Sequence, residues 1–169
     1  MSKSLETERK FIIKMPSSRF LSAYEPIAIV QTYLSAEKGV THRVRKTVKD
    51  GDEQFYETKK TRLTPISCIE EECLISRERY LELSRNIRAG SRPIRKTRYR
   101  IPYLGHTSEI DVYPEWRRHA VMEIELSSEE EEPRIPPYLS VLRDVSEDRR
   151  FKNVNLALSD TNLSALVGE

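Results

Sequence analysis

The sequence has no long apolar run: nothing approaches 18 consecutive apolar residues, the length of a membrane-spanning helix. Glu6 and Glu8 fall where a secretory signal would need an uninterrupted apolar segment. Membrane spanning and secretion are therefore not expected, and the expected location is cytoplasmic. Cysteine is scarce, and the only two, Cys68 and Cys73, have an odd spacing that places them on opposite faces of one strand. His42, His106 and His119 show no zinc spacing, so the cysteines read as reduced thiols. The 5 glycines form no glycine-rich phosphate loop, which excludes a P-loop NTPase. Net charge is nearly absent too: 29 Lys plus Arg against 27 Asp plus Glu leave +2, so no global field argues for nucleic acid or an anionic membrane.

What is present is charge of both signs. Charged residues make up 33% and hydrophobic residues 37% of the 169 positions, a polar but foldable composition expected to give one domain over residues 1–169. Period-two alternation marks eight strands, at residues 5–13, 27–34, 41–48, 54–62, 69–75, 94–103, 107–113 and 120–126. Asp50-Gly51-Asp52 is a hairpin signal, and the Gly105 and Pro114 regions give short connections, so an antiparallel meander is expected. Two segments switch to helical character: 16–24, and 77–89 with Ser76 as N-cap and Gly90 as C-cap, where Tyr80, Leu83 and Ile87 share a face. The order is strand, helix, three strands, written twice. A shift of 64 carries Glu6 and Glu8 onto Glu70 and Glu72, as an internal duplication would. The remainder, after the acidic run 129–132 and the Pro133, Pro136 and Pro137 cluster, is expected to form short helices and loops packed at one end.

The information lies in which charges share a face. Glu6, Glu8 and Lys10 alternate with apolar Leu5, Phe11 and Ile13. Arg43 and Arg45 share a face, as do Tyr56, Thr58 and Lys60; Lys96, Arg98 and Arg100; Glu109, Asp111 and Tyr113; and Glu123 and Glu125. Solvated outer faces usually mix signs, whereas whole strands here are nearly pure cation or nearly pure carboxylate. If eight strands close into a barrel, these faces point into a wide lumen and the apolar faces pack outward under the helices. Clustered cations in such an empty lumen are expected to be strained by mutual repulsion. Carboxylates at i and i+2 suit Mg²⁺ or Mn²⁺, and arginine forks and lysines suit phosphate oxygens. The matching chemistry is phosphoryl transfer to water assisted by a divalent metal.

These residues resemble a known family. Glu6-Thr7-Glu8-Arg9-Lys10 matches the ExExK signature of the CYTH superfamily, the triphosphate tunnel metalloenzymes. It is accompanied in order by Gln31-x-Tyr33-Leu34, Arg43-x-Arg45, Thr58-x-Lys60, Glu70-x-Glu72, Lys96-Thr97-Arg98-Tyr99, the run 109–113, Glu123-Ile124-Glu125 and the run 148–153. The resemblance implies an α+β fold, an eight-stranded antiparallel barrel tunnel with helices outside. By position it implies Glu6, Glu8, Asp111, Glu123 and Glu125 as metal ligands for Mg²⁺ or Mn²⁺. Lys10, Arg43, Arg45, Lys60, Lys96 and Arg98 are implied as the triphosphate cradle, with Lys10, Glu123 and Glu125 catalytic. Glu70 and Glu72 tune the cradle, reach the metal-water network or form structural ion pairs, and roles for Asp144, Arg149 and Arg150 stay open. Lys60 rather than Lys59 is expected in the lumen, His42 on the outer face, and Trp116 with Arg117 and Arg118 at an exposed hairpin tip.

The compact chain and its Glu-Arg-Lys-Phe opening are similar to bacterial members acting on inorganic tripolyphosphate, the expected substrate. The alternatives are a class IV adenylate cyclase, a nucleoside or thiamine triphosphatase, and a polyphosphate- or RNA-binding module without turnover. A membrane or nucleic-acid partner is not expected. The module would keep the basic strands and lose the carboxylates, which are present.

Overall fold

Alternation of apolar and charged residues gives each strand one face that must leave water and one that must stay polar. Eight such strands can satisfy both by closing on themselves. The structure, a computed structural model describing residues 2–169, does this. β1 (Ser2–Lys14), α1 (Ser18–Leu21), β2 (Ile27–Leu34), β3 (Val40–Lys49) and β4 (Asp52–Arg62) form the first half. β5 (Ser67–Leu74), α2 (Arg77–Ser84), β6 (Ile94–Tyr103), β7 (His106–Val112) and β8 (His119–Leu126) form the second. The order around the sheet is β5-β4-β3-β2-β6-β7-β8-β1, and β1 returns to pair with β5, closing an eight-stranded antiparallel barrel. The expected order of two β-α-β-β-β units is therefore present. At the β3–β4 hairpin, Asp50 and Gly51 both take positive φ, +50° and +84°, the twist a two-residue turn needs. No helix among the described residues is long and apolar enough to cross a membrane.

The outward faces are apolar where something covers them. Leu34, Val44 and Phe55 pack under Tyr80 and Leu83 of α2. Phe11, Ile13, Ile101, Ile110, Met122 and Ile124 pack under Leu139 and Phe20 of α1. Leu5, expected on the same face as Phe11 and Ile13, is 58% exposed because neither helix reaches it.

Three expectations need correction. α1 has only four residues, capped by Ser17, whose hydroxyl accepts from the Phe20 amide. α2 starts as expected, with Ser76 Oγ accepting from Arg79 N at 3.2 Å, but ends at Ser84, so Gly90 is a later turn rather than its C-cap. The chain unwinds there because Ile87 forms a β-bridge with Leu34 and the Arg88 amide donates to the Tyr33 carbonyl. Trp116 is not an exposed tip. It is 3% exposed, lies 4.8 Å from the Tyr113 ring, and donates Nε1 to the Leu163 carbonyl at 2.8 Å.

Leu163 belongs to the C-terminal segment, which does more than pack. β9 (Val141–Asp144), a strand absent from the sequence reading, adds to β1 beyond the point where β5 leaves it. A 3₁₀ turn (Arg149–Phe151), α3 (Asn153–Leu156) and α4 (Leu163–Val167) follow. Phe151, Leu156 and Leu163 join Ile12, Tyr33, Ile94, Tyr113, Trp116 and Val121 in one apolar cluster. Ile12, Tyr33 and Val121 continue the lumen-facing registers, so the segment plugs the barrel at the end where β1 and β2 finish. Phe151 is the centre of this plug with no exposed surface. Phe151→Ala is expected to cost about 3 to 5 kcal/mol in urea unfolding. Leu142→Ala, at a site 54% exposed, should change stability by at most about 0.5 kcal/mol.

Candidate active site

Below the plug lies a cavity of about 240 Å³ whose lining residues are all charged or amide-bearing. Strand order sorts the charges. The neighbours β7, β8, β1 and β5 present Glu109, Glu123 and Glu125, Glu6 and Glu8, and Glu70 and Glu72. The neighbours β4, β3, β2 and β6 present Lys60, Arg43 and Arg45, Gln31, and Lys96, Arg98 and Arg100. One half of the wall is an acidic arc and the other a basic arc. They meet at two seams, where register pairs unlike charges: Lys60 with Glu70 across β4–β5, and Arg98 with Asp111 and Arg100 with Glu109 across β6–β7.

Ion pairs run along both seams and between the arcs. Arg98 is held by Asp111 at 2.7 Å through both Nε and Nη2, by Glu123 at 2.7 Å, and by Glu109. Lys96 pairs with Asp111, which has no exposed surface. Lys10, itself inside the acidic arc, forms an ion pair with Glu123 at 2.7 Å and lies 3.9 Å from Glu8. Lys60 bridges Glu6 and Glu70, the latter at 3.3 Å, and Arg45 meets Glu72 at 3.0 Å. Carboxylates meet each of these cations, yet like charge still acts: burial and then Arg43 push Arg45 down, and burial, with Arg98 adding to it, pushes Lys96 down despite Asp111. Arg43 is the loosest: its carboxylate distances are 3.7 and 4.0 Å, to Glu70 and Glu72, and its buried Nε has no hydrogen-bond partner among the described residues. Arg45 Nε is likewise unpartnered. Buried guanidinium donors without acceptors fit an oxyanion ligand.

Titration behaviour divides the carboxylates. Burial would raise Glu123, but Lys10, Lys96 and Arg98 outweigh it and hold the carboxyl well below its usual range. Burial also opposes ionisation of Asp111, and Arg98 and Lys96 prevail. For Glu6, burial is again outweighed, here by Lys60. Glu8 goes the other way, raised by burial and then by the Glu123 charge. Glu125 is raised by burial and by Glu6, Glu109 and Glu70. Glu8 and Glu125 are directly paired across β1–β8, as Glu109 and Glu123 are across β7–β8. Crowded carboxylates of this kind fit a divalent cation, which would relieve their repulsion. Among the described residues, however, no three Asp, Glu, His or Cys side chains are gathered closely enough to hold a metal ion.

The structure therefore brings Glu6, Glu8, Glu123, Glu125, Arg43, Arg45, Lys60, Lys96 and Arg98 around one cavity, with Lys10 and Asp111 buried in its wall. Lys59 and His42 lie outside by parity, and His42 meets Glu57 at 2.8 Å. Cys68 and Cys73 are free, and Cys68 Sγ donates to Glu6 at 3.2 Å. Burial, with the Glu6 and Glu70 carboxylates nearby, leaves that thiol pushed up to about 12 although Lys60 opposes it. Asp144 is occupied by Arg9 at 2.5 Å and by Ser146, and Arg149 and Arg150 are exposed. Sequence reasoning named no site role for Gln31, Arg100, Glu109 or the tail residues Lys152 and Asn153. Parity identified the lumen faces of Arg100 and Glu109, whereas Lys152 and Asn153 arrive through the folding of the tail.

No family model and no curated relative matches the chain. Solved structures do. Two are of NE1496, one described as a hypothetical protein, at 28% identity, TM-score 0.55, covering 91% of this chain and 98% of that one. The other is described as an inorganic triphosphatase, at 27% identity, TM-score 0.54, covering 91% and 95%. A conserved hypothetical protein of Pyrococcus furiosus aligns at 20% identity and TM-score 0.56 over 74% of this chain and 80% of its own. A putative adenylate cyclase of Bacillus halodurans aligns at 17% and 0.51 over 77% and 84%. The chain has the tunnel fold of the CYTH superfamily.

The opposed titrations give a signed prediction for the metal-free protein. A carboxyl raised in the folded state costs stability above its folded pKa, and that cost vanishes once pH falls below its ordinary value. Glu8→Gln should therefore be at least as stable as wild type at pH 7 in chelator, with the advantage disappearing on acidification toward pH 4. Asp111→Asn should behave oppositely. It should lose about 3 to 5 kcal/mol at neutral pH, because Arg98 and Lys96 are left uncompensated. That deficit should narrow as wild-type Asp111 protonates at low pH. Chemical denaturation across pH 3 to 8 checks both.

Proposed function

We propose that the protein is a Mg²⁺- or Mn²⁺-dependent hydrolase of inorganic tripolyphosphate. The observation that carries this reading is the cavity inside the closed barrel, with an acidic arc of strands facing a basic arc. A metal-bound polyanion needs both signs on opposite sides. The solved triphosphatase NE1496, similar along nearly the whole chain, supports the choice of reaction.

On this reading Arg43 and Arg45 take phosphate oxygens with donors that lack acceptors, while Lys60, Lys96 and Arg98 neutralise the remaining charge. The metal would be held by a pair of these carboxylates, such as the adjacent Glu8 and Glu125, and by substrate oxygens rather than by a set of three or more from Glu6, Glu8, Glu123 and Glu125, with Asp111 fixing Lys96 and Arg98 behind them. The metal supplies charge neutralisation and Lewis acidity at the phosphate. Lys10, 2% exposed and bonded to Glu123, places a fixed positive charge where the acidic arc meets the substrate. The tail covers part of one end of the barrel, and the other end, where β8 finishes, is an open acidic mouth.

Phosphate release from tripolyphosphate, ATP, thiamine triphosphate and long-chain polyphosphate, each with Mg²⁺ or Mn²⁺, tests the reading. Tripolyphosphate should be preferred and EDTA should abolish turnover. Cyclic AMP and pyrophosphate from ATP would favour the cyclase, and binding without turnover the non-catalytic module. Arg43→Ala should raise KM about 10- to 100-fold, the loss of about 1.5 to 3 kcal/mol from charged hydrogen bonds, with Arg43→Lys recovering part. Glu125→Gln, at a carboxylate with no ion pair among the described residues, should lower kcat without lowering stability at neutral pH.

A further inference from the structure

The tail sets one neutral polar side chain among the charges of the lumen. Asn153, the first residue of α3, lines both the main cavity of about 240 Å³ and a smaller pocket of about 60 Å³ under the tail. That pocket is not closed: past Tyr33, Thr41, Arg62 and Val154 it continues into a surface groove of about 450 Å³. Asn153 therefore stands at the neck between lumen and groove. Apolar packing on either side fixes its place, since Phe151 and Leu156 are at most 1% exposed. Its backbone carbonyl accepts from the Ala157 amide at 3.0 Å.

A carboxamide has a donor end and an acceptor end, and the end that faces the cavity decides what it can bind. Tyr113 sets that choice here. Its hydroxyl donates to Asn153 Oδ1 at 2.8 Å, and the ring is only 1% exposed. The ring is packed 4.8 Å from that of Trp116 and lies in one apolar cluster with Ile12, Ile94 and Val121, so the hydroxyl has little freedom to leave. With Oδ1 engaged, the amide presents Nδ2, which donates to no acceptor among the described residues. Gln31, the other uncharged side chain lining the cavity, already donates Nε2 to the Tyr33 hydroxyl at 3.2 Å.

Resting on the tripolyphosphate reading above, we propose that Asn153 is a further substrate-binding residue, donating from Nδ2 to a phosphate oxygen, and that Tyr113 is its positioning residue. Turned over, the same amide would offer Oδ1 to a cation and set an acceptor against a phosphate oxygen. The Tyr113 hydroxyl removes that alternative and keeps this wall of the cavity for the anion. A neutral donor is also suited to the place. It adds a hydrogen bond without adding charge to a basic arc in which Arg43 already presses on Arg45, and Arg98 on Lys96.

The test is calorimetric titration of the full chain with a non-hydrolysable imido analogue of tripolyphosphate, alongside steady-state hydrolysis with Mg²⁺ and urea unfolding. Asn153→Ala should weaken analogue binding at least fivefold and raise KM to match, with kcat within about threefold. Tyr113→Phe keeps the packed ring and removes only the hydroxyl. It should weaken binding at least threefold, and should weaken it no further once position 153 is alanine. Asn153→Asp keeps an acceptor for Tyr113 and loses the donor, so it should be no less stable than wild type in urea and yet bind the analogue more weakly than Asn153→Ala. Binding within twofold of wild type in Asn153→Ala, or a Tyr113→Phe loss of the same size with and without the Asn153 side chain, would overturn the proposal and leave the triphosphatase reading standing. Failure of wild type both to bind the analogue and to release phosphate would overturn that reading and the proposal with it.

Discussion

Everything in this molecule depends on charge pairing between neighbouring strands inside a closed barrel. Two like charges at paired positions repel, and a buried ion without a partner costs several kcal/mol. The barrel order sets carboxylate strands side by side and cation strands side by side, which leaves like charges paired at Glu8 with Glu125 and Glu109 with Glu123, and offsets this at seams where Lys60 faces Glu70 and Arg98 faces Asp111. Buried ion pairs contribute little net stability, because desolvation consumes most of the attraction. The core energy comes from the three apolar clusters outside and above the lumen. The ion pairs instead fix where each charged group sits.

That division leaves the site exchangeable. Arg98 and Asp111 form a rigid, mutually saturated pair in the wall, while Arg43 reaches its carboxylates only at 3.7 Å or more and Glu8 and Glu125 are crowded by other acids. Under the proposed reading the first kind of group positions and the second kind binds. A metal on the crowded acids and phosphates on the loose guanidiniums would replace weak internal contacts by stronger ones, without disturbing the apolar clusters. The tail links the two levels, since Phe151 sits in the plug while its neighbours Lys152 and Asn153 reach the cavity.

The lumen was legible in the sequence because period-two parity needs no knowledge of neighbours. Glu6, Arg43, Lys60, Arg98 and Glu125 all face the cavity as parity requires. Register is a property of pairs of strands, so the assignment of Asp111 to Arg98 and of Glu72 to Arg45 could not be read from any one segment. Long-range contacts account for the remaining differences. Ile87 left a helix to bridge Leu34, Trp116 in a polar surrounding was buried by a segment almost fifty residues away, and β9 exists because β5 leaves the edge of β1 open. Lys152 lay in a recognisable motif, but its proximity to Lys10 and Arg62 depends on how the tail folds back.

The central claim is that the acidic and basic arcs act together, each binding one half of a metal polyphosphate. Calorimetric titration with a non-hydrolysable imido analogue of tripolyphosphate measures this most directly, comparing the free analogue with its preformed Mg²⁺ complex. Two cooperating arcs predict that the complex binds at least tenfold more tightly, about 1.4 kcal/mol, and that Glu125→Gln removes most of that gain while leaving binding of the free analogue unchanged. Equal affinity for the free analogue and its Mg²⁺ complex would contradict the account.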